Sequence, residues 1–416
     1  MISNAANIQF IKRRRIELVI LPFLLIMLVT GLLLQPINQL VEGLINIFTA
    51  PGMLITDYMV VGGIGPALVN GAMVGLIGYT LLIINGVPFR GSSIAVLLTM
   101  FGFGLFGKTA WSILPIIGGV FIYCKLSGQS MITNIYPALY GTALAPLVTQ
   151  AAFGYNWGIM GGILIGIIAG IIIPPIASHV LRFHEGYNLY NIGFTAGLVG
   201  LLILNVLRGF DLDSEIVVIW GNEFDSFLRI FTVTVFLSMI ALGIILAKHR
   251  LRDYLKILKH PGTLITDFTN ISGFGNTLIN MGIVGLIGIF YIELVGGNYN
   301  GPVLGGLYTM VGFAAFGKHP LNITPIMAGV WLATVSSIYQ PSSPGPILAA
   351  LFGTTLAPIA GQFGPIVGIL AGGIHLFIVS RIGGIHGGLN LYNNGFSAGF
   401  VAAIFVAIIN GFKKKQ

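Results

Sequence analysis

Charge is what this chain most lacks. Asp, Glu, Lys and Arg together make up 8% of its 416 residues, against about a quarter in soluble globular domains. So few charges cannot cover a water-facing surface. With 56% hydrophobic residues, the expected solvent is lipid. Cysteine is nearly missing as well. Cys124 stands alone, which excludes a disulfide framework or a thiolate metal centre within one chain and leaves a packing role. Acidic residues number 12 against 20 basic ones, a net charge of +8. This excess does not indicate nucleic acid, because most basic residues sit in three clusters, at 12–15, 248–259 and 413–415, each beside an apolar segment. Such clusters mark the cytoplasmic side of a membrane protein. The seven His residues show no metal-ligand spacing. Gly63-x-Gly65 and Gly273-x-Gly275 follow no strand, so they are not dinucleotide loops. No catalytic residue, cofactor or metal is expected, and no enzyme.

What the chain has in excess is glycine, 59 residues. In a bilayer, glycine lets helices pack backbone to backbone or break on purpose. The basic N-terminus runs into an apolar stretch at 18–34 with no small-residue cleavage site after it, which reads as a first membrane helix rather than a signal peptide.

The chain is also duplicated. Pro51-Gly-Met-Leu-Ile-Thr-Asp57 returns as Pro261-Gly-Thr-Leu-Ile-Thr-Asp267, and Val74-Gly-Leu-Ile-Gly78 as Val284-Gly-Leu-Ile-Gly288. Phe106-Gly-Lys108 returns as Phe316-Gly-Lys318, and Pro115-Ile116 as Pro325-Ile326. Gly141-Thr-Ala-Leu-Ala-Pro146 returns as Gly353-Thr-Thr-Leu-Ala-Pro358. His184-Glu-Gly-Tyr-Asn-Leu-Tyr-Asn-Ile-Gly-Phe-Thr-Ala-Gly197 returns as His386-Gly-Gly-Leu-Asn-Leu-Tyr-Asn-Asn-Gly-Phe-Ser-Ala-Gly399. Blocks in one order define a cytoplasmic basic N-terminus (1–15), repeat one (16–208), an acidic linker (209–226), repeat two (227–412) and a basic tail (413–416).

Matching loops carry opposite charge. The run before the first helix of repeat one is Lys12-Arg-Arg-Arg15. Its counterpart in the linker holds Asp211, Asp213, Glu215, Glu223 and Asp225. The stretch 35–50 has no Lys or Arg, whereas its counterpart holds the 248–259 cluster. Matching loops are therefore expected on opposite sides. Each repeat then crosses an odd number of times, the linker is extracytoplasmic and both termini are inside. Hydropathy suggests full spans near 17–36, 66–86, 109–126, 157–180 and 191–207, plus short pieces at 92–107 and 134–149 that span or re-enter. Sixteen residues make roughly 24 Å of helix, short of the ~30 Å hydrocarbon core. Repeat two matches, with short pieces near 302–317 and 345–359. The expected fold is all-α, with two inverted-topology repeats of about five full spans and two short segments each.

Inverted repeats place solute sites where helices are discontinuous. Three duplicated polar segments qualify. His184, Asn188, Tyr190, Asn191 and Thr195, with His386, Asn390, Tyr392, Asn393 and Ser397, line a candidate pathway or else cap helices beginning at the membrane surface. Asp57 and Asp267, with Asn70 and Asn280, form a candidate cation or proton site or else interfacial caps. Pro brackets the pieces 137–146 and 344–358, as it does at half-helices and at short tilted spans alike. Lys108 and Lys318 end Gly-rich short pieces and are expected to snorkel to the interface, with a substrate-facing role as the alternative. Glu293, without an acidic counterpart, sits at a helix end or breaks the symmetry of the repeats.

The paired Asn-Leu-Tyr-Asn-x-Gly-Phe motif and the length resemble an uncharacterised bacterial polytopic membrane-protein family, a domain of unknown function, over the whole chain. Tyr136-Pro137-Ala138-Leu139 and Gly305-Gly306-Leu307-Tyr308 are similar to runs in urea transporters, a resemblance at the level of fold that implies inverted halves with pore half-helices. The expected function is a channel or facilitator for a small polar solute or ion. The alternatives are a proton- or cation-coupled transporter and a non-transporting subunit of a larger complex. The expected setting is a bacterial plasma (inner) membrane, with the lipid bilayer and the solute as partners, no nucleic acid, and a homo-oligomer as one possible assembly.

Overall fold

A computed structural model describes residues 2–214 and 216–413, with side chains from Ile16 to Phe412 apart from Glu215. The side chains of residues 12–15, and Glu215, Lys414 and Lys415, lie outside the described set. The described chain is helical, with two isolated bridges and no named strand.

Repeat one comprises α1 (Ile2–Leu34), α2 (Ile37–Thr49), α3 (Ile64–Ile84), α4 (Gly91–Phe103), α5 (Ile113–Ser127), α6 (Met131–Gly141), α7 (Gly158–Phe183) and α8 (Asn191–Arg208). Repeat two comprises α9 (Asp225–Ala247), α10 (Phe274–Leu294), α11 (Gly301–Phe313), α12 (Pro320–Val335), α13 (Pro344–Gly353), α14 (Pro365–Ile385) and α15 (Asn393–Lys413). The packing is duplicated like the sequence. α1 packs on α3 as α9 packs on α10, and α5 on α7 as α12 on α14. α2 stands where repeat two has the shorter helical segments Lys248–Asp253 and Tyr254–Leu258. It buries Leu40, Gly43 and Ile47 and exposes Ile37, Val41 and Ile45, an amphipathic helix with one face held by the protein.

Among the described residues, nine helical stretches are long and apolar enough to cross a membrane. Their outward faces stay apolar: Leu18, Ile26, Val29 and Leu33 of α1 are exposed, as are Ile230 and Ile245 of α9. Water would not tolerate so many aligned apolar side chains, and lipid does. The expected helix lengths need correction in two places. The span expected at 109–126 is only the 15 residues of α5, and α12 has 16. Conversely, the short piece expected at 345–359 belongs to a continuous helical run, Pro344–Phe363, long enough to span. Pro at 346 and 358 interrupts it only by a one-turn 3-10 segment, Thr354–Leu356. The expected short pieces at 92–107 and 302–317 do form short helices. α4 and α11 have 13 residues each, about 20 Å of helix, and every residue of both but the half-buried Ser92 is buried.

α4 and α11 form the centre and run antiparallel. Gly91 abuts Ala315, Ala95 faces Gly312, Gly102 faces Gly305, and Gly301 abuts Leu105. Their contact is backbone on backbone. A Cβ on Gly102 would lie 3.0 Å from both Cα and O of Gly305. Close approach of this kind is how helices gain packing energy where no hydrophobic drive separates protein from solvent. α8 and α15 cross similarly, where Gly193 and Gly197 meet Tyr392 and Phe396.

This central contact makes a prediction. Gly102→Val forces side-chain carbons into the Gly305 backbone, an overpacking cost of about 1–3 kcal/mol or more. The unfolding midpoint in detergent should fall clearly. Gly118→Ala, where an added Cβ meets nothing within 4 Å, should leave it unchanged or slightly raised. Equal midpoints for the two variants would contradict the packing described.

Candidate functional site

The site is assembled from breaks in the helices, several of which are closed by the other repeat. The Asp57 side chain caps its own five-residue helix (Tyr58–Gly62) through the Met59 N–H at 3.0 Å, and it also accepts from Gly301 N at 3.2 Å, the N-terminus of α11. Asp267 caps Phe268–Ile271 through Thr269 N at 3.0 Å and accepts from Gly91 N at 3.3 Å, the N-terminus of α4. A carboxylate at a helix N-terminus satisfies free N–H groups and complements the helix dipole. The exchange continues in the backbone. Leu54 N donates to Gly388 O and Leu264 N to Gly186 O, at 2.8 and 3.1 Å. Leu189 N donates to Thr355 O, and Leu391 N to Ala143 O, both at 3.1 Å.

The two His-to-Gly motifs lie where these exchanges meet. His184 bonds Asn191 Oδ1 at 3.0 Å, and His386 bonds Asn393 Oδ1 at 2.8 Å and Gly197 O at 2.9 Å. Asn188 donates to Gly395 O and accepts from Tyr190 N and the Thr355 hydroxyl. Asn390 accepts from Tyr392 N. Thr195 donates back to Asn191 O, and Ser397 meets His375 Nδ1 at 3.2 Å. These polar side chains mainly fold the motif, and what they present toward open space is Tyr190, Asn191 and Tyr392.

Asn70 and Asn280 do a different task from the aspartates. Asn70 donates to Gly104 O and Lys108 O at 2.6 and 2.7 Å and accepts from Ala110 N. Asn280 donates to Ala314 O and Lys318 O, both at 2.8 Å. Both amides hold the irregular turn after the central helix, whose carbonyls have no helical partner.

Those turns carry Lys108 and Lys318, and here the expectation is overturned. Neither snorkels: both are fully buried. Lys108 Nζ donates to Thr142 Oγ1 at 2.8 Å and lies 4.9 Å from the Phe103 ring centre. Lys318 Nζ donates to Tyr190 Oη at 2.7 Å and Thr354 Oγ1 at 2.8 Å, 4.6 Å over the Tyr190 ring. The Asn-anchored turn folds each lysine inward, so its stem cannot reach a surface. Among the described residues, neither lysine pairs with a carboxylate. Glu293 is half-exposed at the end of α10, paired with Arg229 at 3.2 Å and Tyr299 Oη at 3.0 Å, which fits the helix-end reading.

A cavity of about 590 Å³ reaches this centre. Repeat one contributes Arg90, Tyr136, Tyr140, Tyr190 and Asn191. Repeat two contributes Leu264, Ile265, Asp267, Phe313 and Tyr392. Among the described residues, the matching pocket at Asp57 holds about 10 Å³. Exposure shows the same asymmetry: Ile265 is 94% exposed and its counterpart Ile55 is 9%. The linker makes the difference. Its residue Ile219 exchanges backbone hydrogen bonds with Ile55 and Asp57 at 2.9 and 3.0 Å, and Gly221 N donates to Asp57 Oδ2 at 3.2 Å. Ser214 Oγ adds a bond to Gly387 O at 2.7 Å. Arg208 anchors the linker by donating to Asp213, which holds that carboxyl below its ordinary range, and to Ile385 O and Gly384 O. No cluster of His, Cys, Asp and Glu able to hold a metal occurs among the described residues.

The amide anchors can be tested separately from any activity. Asn280→Leu leaves two buried carbonyls unpaired at about 1–3 kcal/mol each. It should lower the detergent unfolding midpoint, and so should Asn70→Leu. Midpoints matching wild type in both would mean that the turns hold without their anchors.

No curated protein matches the chain, and no solved structure does. One family does match, over residues 37–209 and 246–411, stretches that fall one on each sequence repeat. With both repeats matched, the chain belongs to the family described as protein of unknown function DUF1576.

Proposed function

We propose that this protein carries a small polar solute or ion across a bacterial plasma membrane, along a path between two repeats inserted in opposite orientations, with both termini cytoplasmic. The observation that carries the reading is the single-ended cavity. It is lined by both repeats, it ends at a buried centre, and its counterpart on the Asp57 side is shut by the linker. A continuous pore would need both ends open at once. A cavity open at one end, in a molecule whose two ends have matching parts, favours a facilitator that exposes its centre to each side in turn. The antiparallel central helices and the reversed charge of matching loops support opposite insertion of the repeats. Under that insertion, Ile265 and the cavity mouth face the cytoplasm, and Ile55 and the linker face outward.

A coupled transporter is the second reading. Asp57, 1% exposed, bridges repeats at one end, and Asp267 bridges them at the other. A cation or proton meeting either carboxylate would bear on which end opens. Uptake that responds to an imposed pH or Na⁺ gradient would support coupling, and uptake indifferent to both would exclude it.

The alternating reading is tested on the linker. Thr56 and Ile219 pair across an isolated parallel bridge, and neighbouring strands lie about 4.8 Å apart, within disulfide reach. In a Cys124→Ala background, Thr56→Cys with Ile219→Cys should cross-link on oxidation. Solute flux into proteoliposomes should then drop at least tenfold and return with reductant. In the same background, Ile265→Cys should react with an impermeant maleimide from the cytoplasmic side only. Flux unaffected by the cross-link would end the alternating reading, and labelling of Ile265→Cys from the outside only would end the orientation.

A further inference from the structure

The proposed transport leaves open what the central lysines are for. An ammonium has three N–H donors. Lys318 directs two of them at hydroxyls, and Lys108 directs one. The threonine partners give their own hydrogens to main-chain carbonyls, Thr142 to Leu139 O at 2.5 Å and Thr354 to Leu351 O at 2.6 Å. They therefore serve the lysines as acceptors. Hydroxyls satisfy donors but do not neutralise charge, and an ammonium taken out of water without an anion is costly. Two such lysines at matching positions of one buried centre make a place where a mobile negative charge gains most.

The route from lysine to cavity is visible. Tyr190 Oη accepts from Lys318, so its own hydrogen is free to point onward, and Tyr190 lines the cavity. Tyr140 and Tyr392 line the same floor; the Tyr140 hydroxyl is buried with no hydrogen-bond partner, and the Tyr392 hydroxyl is buried beside the Thr99 hydroxyl. Unpartnered hydroxyls in a native core call for a ligand or water. Around them the walls are apolar: Phe313, Phe316, Leu189 and Ile192. The mouth carries Arg90 and Asp267. The Asp267 carboxylate accepts from Gly91 N, Thr269 N and Oγ1, and Asn270 Nδ2; these neutral donors leave its charge in place, so the mouth holds one charge of each sign and the excess positive charge lies deeper, at the lysines. Lys108 mirrors Lys318. It sits over Phe103, whose ring packs 4.7 Å from that of Tyr392.

We infer that the cavity binds a small monocarboxylate. Its head lies on the hydroxyls of Tyr190, Tyr140 and Tyr392, backed by Lys318, and its apolar body lies against Phe313 and Phe316. One lysine-backed hydroxyl set matches a single negative charge. Hydroxyl and ammonium donors suit a carboxylate, and the aromatic walls suit a short carbon body. The inference deepens the transport reading and rests on it for the ligand's role as cargo. When the opposite end opens, Lys108 behind Tyr392 takes the part that Lys318 plays here.

Binding to the purified full-length protein in detergent tests this without requiring transport. The probes are butyrate and benzoate, with butyramide and benzamide as uncharged isosteres and inorganic phosphate as a second anion. Butyrate or benzoate should raise the unfolding midpoint in a saturable way, with at least tenfold weaker effect from the matching amide and from phosphate. Lys318→Met should keep or raise the midpoint of the empty protein, since an apolar residue replaces a buried charge, and should abolish the carboxylate response. Tyr190→Phe, which leaves Lys318 its bond to Thr354, should weaken the response at least tenfold and covers the case in which Lys318→Met fails to fold. Equal shifts by acid and amide, an undiminished response in Tyr190→Phe, or no shift with either carboxylate would overturn the inference. Saturable carboxylate binding without flux in proteoliposomes would uphold the anion site and sink the transport reading. Flux of neutral solutes with no carboxylate binding would do the reverse.

Discussion

The structure depends on one constraint: a broken backbone in an apolar medium must still have every N–H and C=O paired. Water does this at the surface of a soluble protein, and lipid cannot. Here the breaks are closed across the repeat boundary. Asp57 closes the start of α11, and Asp267 closes the start of α4. The 186–189 segment pairs with residues 264 and 355, and the 388–391 segment pairs with residues 54 and 143. Each repeat holds its own central turn through Asn70 or Asn280, but neither closes these other breaks alone, so the irregular segments of both must converge. A polar centre between the repeats follows from that convergence, whatever it binds.

Glycine makes the convergence possible. The antiparallel pair of α4 and α11 brings Gly102 against Gly305 and leaves no room for a side chain. Short helices of 13 residues stop inside the protein, and each must turn back. Asn70 and Asn280 bind the carbonyls of those turns, and the turns aim lysines at the middle. Amide, turn and lysine recur in both repeats because one local solution was duplicated. A buried lysine is a poor way to stabilise a fold, since apolar residues of similar size do as well or better. Its presence in both copies therefore points to a use other than stability.

How much of this was legible beforehand varies by the kind of signal. Membrane class and duplication were, because composition and repeated words such as Leu-Ile-Thr-Asp are properties of the string itself. The polar motifs at 184–197 and 386–399 were too, and they do meet. Helix length was less legible. The run over residues 344–363 contains two Pro-bounded pieces, and only the coordinates show that a 3-10 turn joins them into one stretch. The direction of Lys108 and Lys318 was not legible at all. A lysine after an apolar segment reads as interfacial unless one knows that Asn70 and Asn280, distant in sequence by 38 residues each, bend its turn inward. The closure of one end by the linker was hidden for a similar reason. Ile219 has no counterpart in the repeats, so no comparison of matching blocks draws attention to it.

That closure also bears on energetics. Two repeats that close each other's breaks by the same bonds would give two arrangements of nearly equal free energy, one open at each end. The linker removes the equality. It adds bonds from Ile219 to Ile55 and Asp57, from Gly221 to Asp57 and from Ser214 to Gly387. At a net worth of about 0.5–1.5 kcal/mol each, they bias the molecule by roughly 2–6 kcal/mol toward the arrangement closed on the Asp57 side. Moving a two-state balance from 1:99 to 99:1 takes about 5.5 kcal/mol, so under the transport reading proposed above the bias is of the size that one bound solute would offset. A much stronger linker would lock one end permanently. A much weaker one would leave two populated states, and the asymmetry between Ile55 and Ile265 would disappear.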